Sequence, residues 1–109
     1  MRYQDIWELY ESGDLDAVIQ MFDDIDALDT IHTAMFENAL DAGVSEETLK
    51  ARISDVNFEM GRKHMLDDRD VAYLTRSSMM DFSKEIGVDI MRGQIRAIAE
   101  TIKQHLDQQ

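Results

Sequence analysis

The residues able to do chemistry in this chain are carboxylates and histidines, because cysteine is absent. Glu8 with Glu11, Asp23 with Asp26 and Asp29, and Asp67 with Asp70 stand three apart. On a helix that spacing puts oxygen ligands on one face, the arrangement that holds Mg²⁺ for phosphate chemistry. Much of the acid has a competing use. Asp14, Asp16, Glu46, Glu47, Asp67, Asp68 and Asp89 fall at inferred helix starts, where a negative charge opposes the positive end of the helix. Lys63, Lys84 and Lys103 fall near inferred ends of the opposite sign. Acids spent on helix ends leave no assembled catalytic set, so we expect no enzyme, no metal and no cofactor. His32 lies between Leu28, Met35 and Phe36 on an apolar stripe and reads as a core histidine. His64 is placed to pair with Asp67 or Asp68 at a helix end, and His105 to fray near the C-terminus. No serine, histidine and aspartate fall into a recognisable order.

One segment carries a second chemistry. Ala39, Gly43-Val44-Ser45, Thr48, Leu49 and Ile53 follow one another as a small residue, a turn, and apolar positions six and ten after the turn glycine. This resembles the helix-turn-helix of DNA-binding transcription regulators. The resemblance covers Ala39 to Ile53 and implies a dimer whose Thr48, Lys50 and Arg52 touch DNA. Two features depart from it. Glu46 and Glu47 occupy the start of the would-be recognition helix, and Arg52 stands where an apolar residue usually packs. The acidic pairs are similar to those of all-α nucleotide pyrophosphohydrolases, but the order Glu-x-x-Glu followed by Glu-x-x-Asp does not occur.

Charge decides between these chemistries. The formal net charge is -12, and residues 1–49 hold 13 acids against the single base Arg2, whereas residues 50–109 hold 10 of each sign. With no base between Arg2 and Lys50, the first half repels phosphates and anionic lipid and attracts basic proteins. We therefore expect a non-catalytic inhibitor or adaptor that docks on a basic partner, nucleic-acid-binding proteins being one class of such partners, a role that immunity, antitoxin and phage anti-host proteins fill. Its contact residues are expected to be Glu8, Glu11, Asp14, Asp16, Asp23, Asp24 and Asp26. Helix-turn-helix DNA binding is the alternative. Without cysteine, signal-peptide pattern or membrane-length apolar run, the expected compartment is the cytoplasm.

The elements that must position these residues are helices. Proline is absent, five glycines punctuate the chain, and apolar residues recur at helical spacing. At this length we expect one domain over 1–109: a compact all-α bundle of five to six helices with a long central helix starting near Ser45. Tyr3, Ile6, Trp7 and Tyr10 mark a first helix stopped at Ser12-Gly13-Asp14, and Leu15, Val18, Ile19 and Phe22 a second. A break near Asp24 is favoured over one continuous helix, because aspartates suit helix starts. Gly43 is expected to end the third helix in a left-handed turn with Ser45 capping the fourth, whose stripe is Leu49, Ile53, Val56 and Met60. A fifth helix carries Val71, Leu74, Ser78, Phe82 and Ile86, a turn follows at Gly87-Val88-Asp89, and the last carries Met91, Ile95, Ile98, Ile102 and Leu106. Phe58 with Met65, and Tyr73 with Met80, lie opposite their main stripes, a second apolar face that we expect the N-terminal helices to cover. Gly93 leaves a gap beside the last stripe, through which the chain could form a homodimer.

Overall fold

Helix boundaries in this chain are set by short polar side chains. The computed structural model describes Glu8 and residues 11–13, 15–74 and 83–108, apart from the side chains at positions 15, 16 and 18. Within them run α1 (Leu15–Gln20), α2 (Ile25–Asp41), α3 (Glu46–Lys63), α4 (Asp68–Leu74) and α5 (Lys84–Asp107), with no strand among the described residues. Asp24 caps α2, its carboxylate accepting the N–H of Asp26 at 2.9 Å, so the chain does break where the aspartates cluster. Ser45 accepts the N–H of Thr48 at 3.1 Å and starts α3, and Asp67 accepts that of Asp70 at 2.8 Å and starts α4. The end of α2 is closed by Gly43 at φ 99°, with Val44 N–H on Ala39 O and Gly43 N–H on Leu40 O, both 3.0 Å. This is the paired-hydrogen-bond ending in which a left-handed residue satisfies the last carbonyls, and buried Val44 packs back behind it.

The all-α class is as expected, but the bundle is organised differently. Three long helices of 17, 18 and 24 residues make the body, and the described stretches of α1 and α4 are laid against it. The centre is not the helix starting at Ser45. It is α5, which packs against α1, α2 and α3, while α2 and α3 barely meet. Isoleucines 90, 95, 98 and 102 of α5 are fully buried, and so are Leu28 and Met35 of α2 and Leu49 of α3. A small residue lets α3 approach α5 closely. A Cβ on Gly93 would lie 2.8 Å from Met60 Cε and 3.1 Å from Val56 Cγ1, so the expected gap is filled by α3 of the same chain. A buried polar pair, Gln94 Nε2 donating to Asn57 Oδ1, fixes the α3–α5 register.

Other expectations are overturned. Gly87-Val88-Asp89 is no turn: it lies inside α5, which begins after its cap Ser83, with Ser83 Oγ accepting the Ile86 N–H at 3.4 Å. Burial of Gly87 and Val88 against the core outweighs the modest helix cost of glycine. Of the expected fifth helix, Val71 and Leu74 lie in α4, Ile86 belongs to α5 beyond the non-helical cap Ser83, and Ser78 and Phe82 lie outside the described residues. Helix α3 stops at Lys63 in the same type of ending as α2, here with Met65 at φ 59°. Of the second apolar face, Phe58, Met65 and Tyr73 are each at least 40% exposed, and Met80 is outside the described residues. The expected first helix falls mostly outside them too. A radius of gyration of 13.6 Å, against about 13 Å for a compact chain of 100 residues, marks a compact globule.

Candidate functional site

Burying Leu28, Ile31, Ala34, Met35, Asn38 and Ala39 turns the opposite side of α2 to solvent. That side carries exposed Asp26, Asp29, Glu37 and Asp41 and no lysine or arginine. Nothing basic stands even in the last turn, so Asp41 adds like charge to the negative end of its own helix. The Gly43 turn leads directly to exposed Glu46 and Glu47 in the first turn of α3. Six exposed carboxylates thus follow one outer face and the corner beyond it.

The expected contact residues divide. Glu8, Glu11 and Asp26 are exposed, Asp14 lies outside the described residues, and Asp16 stands in α1. Asp23 and Asp24 have internal duties: Asp23 pairs with Arg92 of α5, and Asp24 caps α2. Arg92 also donates to the backbone oxygens of Gln20 and Phe22, clasping the α1–α2 linker onto the central helix. A clasp spanning about seventy positions leaves no local sequence signal.

At the helix-turn-helix segment the turn and cap form, and the expected DNA contacts Thr48, Lys50 and Arg52 are exposed but each has a partner on its own helix or at its cap. Thr48 Oγ1 hydrogen-bonds Ser45 Oγ at 2.7 Å. Lys50 pairs with Glu46 at 3.1 Å and Arg52 with Asp55 at 3.7 Å, each on the same helix, so both cations face a neighbouring carboxylate.

A charged cleft of about 620 Å³ opens between the end of α3, the start of α5 and the α1–α2 linker. Asp23, Lys63, His64, Lys84, Glu85, Val88, Asp89 and Arg92 line it. Its centre is Asp89, whose Oδ2 accepts from Lys63 Nζ and meets His64 Nε2, both at 2.8 Å. Burial raises the carboxyl pKa of Asp89, but hydrogen bonds from Lys63 and His64 and their charges outweigh it and hold the pKa below its ordinary value. His64 therefore pairs across the fold with Asp89 rather than with Asp67 or Asp68: the left-handed turn at Met65 carries those aspartates on to start α4. Lys84 sits at the start of α5, not near a helix end of opposite sign.

His32 is largely buried, its Nε2 without a hydrogen-bond partner among the described residues. Desolvation lowers its pKa, against an upward pull from Asp29. His105 does not fray: it lies within α5 beside Gly43. Among the described residues no three histidine or carboxylate side chains gather as a metal would require, and no helix is long and apolar enough to cross a membrane. No protein-family model, no curated protein and no solved structure matches the chain.

Proposed function

We propose that this chain is a non-catalytic protein-binding inhibitor or adaptor that docks its acidic N-terminal half on a basic partner and occupies that partner's phosphate-binding surface. The observation that carries the reading is the outer face of α2, where Asp26, Asp29, Glu37 and Asp41 are exposed with no base among them. Glu46 and Glu47 extend it around the Gly43 corner. Because Asp23 and Asp24 hold the fold, the contact set moves from the linker to α2. A one-signed surface of this kind accelerates encounter with a basic protein and gives binding a strong salt dependence.

The test is affinity capture from host lysate over a salt series, with and without nuclease, followed by association kinetics on the protein captured. A basic protein recovered regardless of nuclease supports the reading. With it, replacing Asp26, Asp29, Glu37 and Asp41 by their amides lowers the association rate about tenfold or more at low salt and flattens its salt dependence. An unchanged rate overturns the electrostatic docking. Recovery of DNA instead, with a salt-sensitive shift of duplex DNA, favours the helix-turn-helix reading, for which the well-formed Gly43 turn speaks and the internal pairing of Lys50 and Arg52 does not.

A further inference from the structure

The charged cleft is independent of the acidic face, and its lining selects a ligand class. Three of its residues are lysine or arginine and three are aspartate or glutamate, so its formal charge, histidine aside, is zero in a chain of net charge -12. Most of these charges are already spent on one another. Asp89 is taken by Lys63 and His64, and Asp23 by Arg92. The exceptions are consecutive and opposite in sign: Lys84 and Glu85 both line the cleft, and neither has an ion-pair partner among the described residues. Lys84 is also out of place by the logic of helix ends, since it puts a positive charge in the first turn of α5. Positions that break a local rule without an internal compensation are where an external partner is to be sought.

A simple anion would satisfy Lys84 but meet Glu85 and the field of an acidic protein. A simple cation would satisfy Glu85 but meet Lys84. A ligand carrying a carboxylate and an ammonium answers both and adds no net charge. The cleft volume of about 620 Å³ falls within the range of small-molecule sites and exceeds what one amino acid fills. The aliphatic stems of Lys63 and Lys84 offer apolar contact to the body of such a ligand, over a floor to which Val88, otherwise buried in the core, contributes only its edge. We propose that the cleft between the end of α3 and the start of α5 binds a short apolar peptide with both termini free, its carboxylate on Lys84 and its ammonium on Glu85.

The test is a titration of the full chain with leucylleucine, followed through backbone amide resonances. The N-acetylated and C-amidated forms, each lacking one charge, are titrated in parallel. The expected result is movement of the amides at Lys63, His64, Lys84, Glu85, Val88, Asp89 and Arg92, with the free dipeptide bound at least tenfold more tightly than either blocked form. Lys84→Gln and Glu85→Gln are each expected to weaken the free dipeptide about tenfold, while the resonances of His64 and Asp89 in the unliganded protein stay in place. Both residues are exposed, so neither change threatens the fold. Unmoved cleft amides, equal binding of a blocked form, or a variant that binds as the parent does would each overturn the proposal.

Discussion

Met65 is the one non-glycine residue with positive φ among the described residues, at 59°, and its side chain reaches solvent, 92% exposed. It ends α3 through Leu66 N–H on Gly61 O at 2.8 Å and Met65 N–H on Arg62 O at 3.1 Å, a role that glycine fills at Gly43. An L-residue in this conformation costs roughly 1–2 kcal/mol, part of which glycine gives back as unfolded-chain entropy. Met65→Gly is therefore expected to raise stability by about 0.5–1 kcal/mol in urea denaturation, with no packing lost; a destabilised variant would mean that the methionine makes a contact its exposure conceals. His32 sets a pH dependence of defined sign. Its folded-state pKa is lowered below 6.5 by burial, so the unfolded chain takes up the proton first. The stability contribution is present above pH 6.5 and is lost as pH falls from there toward the folded pKa. Asp89 adds a second loss, below pH 3.8, because its carboxylate form is stabilised in the fold. Stability is thus expected to fall on acidification through the histidine range, before the carboxylates titrate. His32→Gln is expected to flatten that part of the curve, and a parallel curve for the variant would remove His32 as its source.

At the scale of elements, contacts between helices depend on where side chains are missing. A Cβ on Gly61 of α3 would fall 2.3 Å from Val71 Cγ2, on a branched side chain that is 2% exposed and cannot swing away. Gly61→Ala gains about 1 kcal/mol of helix propensity, but overpacking costs typically 1–3 kcal/mol, and α4 must move. A net loss of up to about 2 kcal/mol is expected in denaturant titration. In a double-mutant cycle with Val71→Ala, the alanine at position 61 should become neutral or stabilising; additive effects would show that the contact does not limit the approach. The same small residues explain what was legible in the sequence. The caps at Asp24, Ser45 and Asp67 and the Gly43 ending could be read because each is settled within four or five positions. The rank of α5 could not. Its Met91, Ile95, Ile98, Ile102 stripe reads as one-sided, while the side built from Ile90, Gln94, Ala97 and Thr101 looks unremarkable until α3 is laid against it. Gly87, read as a turn, is a place in that packed helix.

For the whole molecule, the segregation of charge is written directly in the sequence, but its use is apportioned only by the fold. The sequence distinguishes Asp23 and Asp24 from Asp26 in no way; the fold ties the first to Arg92, spends the second on a cap and leaves the third on the open face of α2. His64 and Asp89 stand 25 positions apart, and nothing local announces that they meet. The acidic face and the charged cleft thus separate a long-range field from a local, balanced one. The position of α5 has a further consequence, for biosynthesis. A ribosome makes α1, α2 and α3 before it makes the helix against which all three bury their apolar stripes. Until α5 emerges, the nascent segments have only the small α3–α4 and α2–α3 contacts to close on, and most of the apolar burial waits for α5. During that interval the exposed chain is its most acidic part, whose self-repulsion keeps unfinished copies apart at the moment when their apolar stripes are bare.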